Sequence, residues 1–271
     1  MKITRINYHG HPCWGELKGD NIFLQNGGIV AAKDADYLAP VVPSKILAVH
    51  LNYPDRLNAM MEKGVLTEPP KWASYFMKAP SALIGTGKEV GRPSGTHYLN
   101  YEGEIAIIIG RKAENVKRED ALDYIYGISA ANDMVLHDFQ SSDKGSMVRA
   151  KNQKGFCPLG HCLVTMDEIE DIRNIRLNTY VNGELVQHGV SGDLIYFFDY
   201  LIADLSRLIT LEPGDVILTG SPNNSRPLNP GDKVIVELEG YCKLENTITE
   251  YEIDWEDFGA RPEGAGYATK G

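Results

Sequence analysis

Residues 105–109, Ile-Ala-Ile-Ile-Ile, form a continuous β-branched and apolar run, the pattern of a buried strand. Alternation over 175–181 leads into Asn182-Gly183, a strong two-residue hairpin signal, and predicts a returning strand over 184–187. Further strands are expected over 216–219 and 234–238, introduced by Pro-Gly-Asp and Gly-Asp turns. Leu194, Phe197, Phe198, Leu201, Ile202, Leu205 and Leu208 recur at helical spacing, with Ser191 or Asp193 as N-cap, and the aromatics read as core. A shorter helix is expected over 118–125. Residues 1 to about 40 read as short strands broken by turns. The two prolines of Ala39-Pro-Val-Val-Pro-Ser44 favour extended chain, which suggests a small N-terminal β appendage over 1–43 and a main domain over 44–271. Strands and helices do not alternate regularly, so the expected class is α+β and strand-rich with few helices.

Composition narrows the function. The 271 residues are 43% hydrophobic, ordinary for a globular chain able to bury a large core. The formal charge of -10 argues against a nucleic-acid partner, and it means that an anionic substrate needs a local cationic site. No apolar run approaches the roughly 18 residues of a membrane span, so no membrane partner is expected. MKITRINYHGHPCWG lacks the apolar stretch of a signal peptide, and the expected location is cytoplasmic. Cys13, Cys157, Cys162 and Cys242 have no paired spacing and read as reduced thiols; a zinc site from Cys157, His161 and Cys162 lacks an evident fourth ligand.

Two clusters could carry chemistry. Glu102 and Glu104 sit two apart at the head of the 105–109 run, so on a strand they share a face. Adjacent carboxylates repel unless one is protonated or a cation lies between them, and Asp133, after the apolar stretch 127–132, could supply a third oxygen. Such hard ligands suit Mg²⁺ or Mn²⁺. The spacing alone fits a solvated edge strand equally well. Arg149 and Lys151 repeat the geometry and would share a face if extended, supplying positive charge to an anion; solvated surface groups are again the alternative.

Together these pieces resemble the fumarylacetoacetate hydrolase superfamily, from about residue 45 to 250. YEGEIAIIIGRKAENV resembles its metal-binding strand, ISAANDMVLHDFQ its Asp-bearing segment, VRAKNQKGFCPLG its lysine-bearing segment, VNGELVQHG its hairpin and LEPGDVILTGSPNN its closing turn. The type most resembled is that of 4-hydroxyphenylacetate (homoprotocatechuate) catabolism, for which AKNQKGFCPLG is the best pointer. The resemblance implies a fumarylacetoacetase C-terminal-like mixed β-sheet roll, a homodimer, and a small anionic 2-oxo acid substrate. It implies Glu102, Glu104 and Asp133 as ligands of Mg²⁺ or Mn²⁺ and Lys151 as a substrate-contacting lysine. Gln140, Gly220 and Ser221 fall beside the substrate, and Lys78 near the mouth of the site.

The implied reactions are decarboxylation of 5-oxopent-3-ene-1,2,5-tricarboxylate and isomerisation of 2-hydroxyhepta-2,4-diene-1,7-dioate. Alternatives are an acylpyruvate-type hydrolase, an oxaloacetate decarboxylase, or a non-catalytic metal-binding member. Three departures stand out. Ser221 replaces a common Thr, and His137 replaces a common Arg. In NYPDRLNAM, Arg56 and Ala59 replace the His and Glu that activate water in hydrolytic members. His137 is a candidate general acid, with His50 and His188 as alternatives. The polar segment from His50 to about Pro70 is expected to act as a lid. The chain after Trp255 is rich in Gly, Ala and polar residues.

Overall fold

The computed structural model describes residues 1–143 and 145–253; the tail after Trp255 lies outside the described residues. At its centre is the strand Gly103–Ile109, buried throughout. It pairs antiparallel with Ile125–Asn132 on one side and Val216–Leu218 on the other. The unbroken apolar run follows from burial on both faces. Ile105, Ile107 and Ile109 belong to one core with Leu177, Val236 and Leu201, and Ala106 and Ile108 to another with Ile46, Ala48 and Leu159.

The central sheet continues through Ile46–Val49, parallel to Val216–Leu218, to Tyr75–Lys78. In the other direction it runs through Leu163–Thr165 into Lys2–Tyr8, His11–Lys18, Asn21–Leu24 and Ile29–Ala31. The N-terminal strands thus extend the same sheet, and they carry a small core of their own around Ile6, Ile22 and Leu24. A second sheet runs in the order Glu184–Val190, Arg176–Val181, Lys233–Leu238, Cys242–Tyr251, Glu89–Pro93, again with parallel and antiparallel pairs. The architecture is α+β, strand-rich and mixed.

The hairpin turn forms at Asn182 and Gly183, both at positive φ (52° and 86°), as a type I′ turn requires. Its second strand continues to Val190. Three expectations need correction. The expected helix over 194–208 begins only at Phe198, capped by Phe197, and neither Ser191 nor Asp193 caps it. Leu194 (ψ 129°) and Phe197 (ψ 167°) are extended, and Asn52 anchors the stretch between them: its carbonyl accepts the Ile195 N–H at 2.9 Å and its Oδ1 the Tyr196 N–H at 2.6 Å. The segment Arg118–Tyr124 is 3-10 rather than α-helical, and Ile125 already belongs to the next strand. Val148–Lys151 is a helical turn rather than a strand. Asp143 nucleates it by accepting the Ala150 N–H at 2.8 Å.

Candidate active site

Glu104 lies within the central strand and Glu102 immediately precedes it, both buried. Alternation puts them on one face, and the residue between them faces the second sheet. Only glycine fits there: a Cβ on Gly103 would lie 2.0 Å from Thr179 Oγ1. Asp133 arrives across the ladder. Gly103 pairs with Asn132, and the Asp133 N–H donates to the Glu102 carbonyl at 2.8 Å. Asn132 Oδ1 accepts the Glu102 N–H at 2.9 Å. One oxygen from each of Glu102, Glu104 and Asp133 lies within 4.8 Å of the other two. The edge-strand alternative does not hold, because all three carboxylates are buried.

Gly220 closes the cluster, donating its N–H to Glu104 Oε2 at 2.7 Å. It sits at φ 91°, and a Cβ there would meet Asn52 Cβ at 2.8 Å. Asn52 is itself fixed by donating to the Thr219 carbonyl at 2.8 Å and the Tyr196 carbonyl at 2.9 Å.

Three cations face these carboxylates. Lys151 Nζ lies 2.7 Å from Glu102 Oε2 and also bonds Asp133 Oδ2. Lys78 Nζ lies 2.6 Å from Asp133 Oδ1 and donates to the Lys151 carbonyl at 2.6 Å. Arg56 donates from Nη2 to Glu102 Oε1 and from Nη1 to Ser221 Oγ. Burial opposes ionisation of Glu102, but Arg56 and Lys151 hold its carboxyl far below the usual range. Glu104 goes the other way: burial, then the charges of Asp133 and Glu102, push it well up. Burial also opposes the charge on Lys151, but Asp133 and Glu102 hold its proton more tightly than usual.

The cluster fits a hard divalent cation. It offers three convergent oxygens, one of them on a carboxyl that resists ionising without a positive neighbour. Asp133 Oδ1 is buried without an aligned hydrogen-bond donor, since Lys78 lies close but out of line.

The remaining expected residues are spread more widely. His137 and Gln140 bond one another at 2.7 Å. His137 lines a cavity of about 160 Å³ with Arg56, Ala59, Met60, Asn100 and Asn223. That cavity, like two larger hollows of about 450 and 600 Å³ that flank the 38–43 segment, is lined by none of the three carboxylates, and Arg56 links it to Glu102. Lys78 is not near a mouth: it is 1% exposed and forms the floor beneath Asp133. Arg149 does not share a face with Lys151. Residues two apart on a helix point about 200° apart, and Arg149 is exposed while Lys151 is buried. His188 is exposed and bonds Asn178 Oδ1 at 3.0 Å, whereas its neighbour Gln187 points inward and accepts the Gly103 N–H at 3.1 Å. His50 packs against Phe76 with ring centroids 4.6 Å apart and the planes tilted by 51°, and the Phe76 ring carries Lys151 Nζ at 4.5 Å. Burial lowers the His50 pKa. Its segment forms the helix Pro54–Glu62, which has no buried residue and brings Arg56 to the carboxylates.

Sequence reasoning missed Asn52, Asn132 and Gln187 as supports. The available signal was a polar residue inside or ending an apolar run. The cysteine grouping also changes: His161 and Cys162 lie with Cys242, while Cys157 sits apart and burial pushes its thiol up to about 12.

A buried carboxylate triad beside a mixed sheet defines the class, and the comparisons specify it. Residues 45–249 match Fumarylacetoacetate (FAA) hydrolase C-terminal, and the chain belongs to that family. It is 38% identical over 207 residues to the 4-hydroxyphenylacetate degradation bifunctional isomerase/decarboxylase of Escherichia coli, covering 76% of this chain and 47% of that protein. The chain therefore spans about half the length of that relative. It is 34% identical to a mitochondrial oxaloacetate tautomerase of Homo sapiens over 229 residues, 81% of this chain and 71% of the other. The crystal structure of 5-carboxymethyl-2-hydroxymuconate delta-isomerase from Mycobacterium smegmatis superposes with a TM-score of 0.82 at 31% identity, over 93% of this chain and 99% of that one. No helix among the described residues is long and apolar enough to cross a membrane.

Proposed function

We propose that this chain isomerises or decarboxylates a small unsaturated 2-oxo dicarboxylate or tricarboxylate, with Mg²⁺ or Mn²⁺ held by Glu102, Glu104 and Asp133. The charge count carries the reading. Three carboxylates face Arg56, Lys78 and Lys151, so the ionised set is neutral without a metal. A divalent cation takes it to +2, the complement of a dianionic substrate. Bound there, the cation supplies Lewis acidity toward a 2-oxo acid.

The protein's own groups divide the remaining work. Arg56 presents a planar fork suited to the substrate's remote carboxylate, beside the Ser221 hydroxyl. Lys151 and Lys78 hold positive charge under the reacting end. Lys151 grips its proton too tightly to give it up readily, so it acts through charge. Protonation at carbon is assigned to His137, a reading supported by its position on the cavity wall beside Arg56 and by its hydrogen bond to Gln140. The helix Pro54–Glu62 presents Arg56, Ala59 and Met60 to that cavity, none of them a base for water, which weighs against hydrolysis.

The test is a substrate panel assayed with Mg²⁺ or Mn²⁺ and again after chelation. It includes a seven- to eight-carbon unsaturated oxo-dicarboxylate or tricarboxylate, oxaloacetate, an acylpyruvate and fumarylacetoacetate. Metal-dependent isomerisation or decarboxylation should exceed hydrolysis, and Arg56→Met should raise KM for dicarboxylates more than it lowers kcat. Faster acylpyruvate cleavage than decarboxylation would sink the proposal.

A further inference from the structure

A second cluster lies away from the carboxylates. One ligand atom from each of His161, Cys162 and Cys242 falls within 4.8 Å of the other two. His161 and Cys162 directly precede the strand Leu163–Thr165, and Cys242 opens the strand Cys242–Tyr251. Beneath them Ser129 Oγ bonds the Cys162 carbonyl at 2.8 Å and lies 3.6 Å from Cys242 Sγ. Ser129 is four residues before Asp133 on an extended strand, about 13 Å away at the usual rise.

The backbone leaves room for this cluster. A Cβ on Gly160 would stand 2.3 Å from Cys242 Sγ, so glycine there is what admits the sulfur. Both thiols are buried, and Cys242 and His161 line a cavity of about 200 Å³ that Glu237 also lines. The His161 ring is fixed through Nδ1, which lies 2.8 Å from the Lys243 carbonyl oxygen and 3.2 Å from the Lys243 nitrogen, an outer-sphere contact typical of a metal-ligating imidazole, so the ligand nitrogen is Nε2.

We infer that His161, Cys162 and Cys242 form a second metal site, selective for a thiophilic cation such as Zn²⁺ and distinct from the carboxylate site. Two sulfurs and one imidazole are the ligand set of an open tetrahedral centre, and the fourth position faces the cavity, where water or Glu237 completes it. Zinc–sulfur bonds of about 2.3 Å put tetrahedral sulfurs roughly 3.8 Å apart, so the side chains need to close by about 1 Å at most.

The experiment uses the full chain carrying Glu102→Gln and Glu104→Gln, which disables the carboxylate site. After chelation and reduction it is titrated with Co²⁺, then Zn²⁺. About one Co²⁺ per chain should bind with a thiolate-to-cobalt charge-transfer band, Zn²⁺ should bleach it, and excess Mg²⁺ should leave it unchanged. Cys242→Ser should abolish the band, and His161→Gln, at a partly exposed position, provides a second variant should the first not fold. Absence of the band, a band indifferent to both substitutions, or a Cys162–Cys242 disulfide in a chain that takes up no metal when reduced would each overturn the inference.

Discussion

Glu104→Gln separates a metal site from a structural ion-pair network by the sign of its effect. In the metal-free chain the Glu104 carboxyl is buried against Asp133 and Glu102, with ligand oxygens within 4.8 Å. At that separation and an effective dielectric near 20, each ionised pair costs about 3–4 kcal/mol, and attraction to Lys151 reduces the net to about 1–3 kcal/mol. Glutamine keeps an acceptor for the Gly220 N–H and adds a donor for Asp133 Oδ1, which has none aligned. The variant should therefore melt above wild type without metal, by about 2–12 °C at roughly 2–4 °C per kcal/mol. With Mn²⁺ at about 100 times Kd, wild type gains about 2.7 kcal/mol, or about 5–11 °C, and the variant gains little, so the gap closes or reverses. The pH dependence has a definite sign. A carboxyl raised on folding keeps a proton that the unfolded chain has released, so metal-free wild type loses stability as pH rises above about 4.3. The advantage of the variant should vanish below that pH. Thermal melts with and without Mn²⁺ across pH decide it; a metal-free variant that melts below wild type, or an equal Mn²⁺ response in both, refutes the reasoning.

Lys151→Met should bind Mn²⁺ at least as tightly as wild type by calorimetry, because Nζ no longer competes for Glu102 and Asp133, while turnover falls by at least about tenfold. Asp215→Asn should destabilise by about 2–4 kcal/mol in denaturant melts, since the buried carboxylate pairs with Lys45 and accepts the N–H groups of Ser44, Lys45 and Glu212. Burial opposes the Asp215 charge but Lys45 and these donors hold its pKa down, so its contribution is present above about pH 4 and lost as pH falls through the folded value, and the variant should show a shallower acid transition. Gly103→Ala should cost about 1–3 kcal/mol by the same melts, because the new Cβ overlaps Thr179 Oγ1.

The legible parts of the sequence were those whose local pattern the tertiary structure reinforces. An apolar run that needs burial on both faces became the central strand, and Asn182-Gly183 became a turn because both residues accept positive φ. The illegible parts were decided by one distant side chain. Asn52 anchors an extended stretch before Phe198 where spacing alone predicts helix, and Asp143 winds 148–151 into a turn that sends Arg149 outward. The acidic half of the site was legible because alternation along a strand is a local rule. In the basic half Lys151 and Lys78 were reached only through the family resemblance and Arg56 not as a partner of the carboxylates, because they come from separate elements at distances no spacing encodes.

That basic half bears most directly on the reaction. Arg56 stands where hydrolytic relatives were expected to carry a histidine, which from sequence alone reads as a loss. In the folded chain its guanidinium bridges Glu102 and Ser221, at once a plug on the carboxylates and a ready carboxylate receptor. A cation at Glu102 competes with that bridge, so metal binding should free the fork as it displaces the Glu104 proton and brings the site's charge to +2. The substrate then meets an unpaired guanidinium together with the charge excess that its two carboxylates neutralise. If the proposed function holds, metal and dicarboxylate should bind with positive coupling, which titration of each at fixed concentrations of the other would read, and Arg56→Met should weaken that coupling.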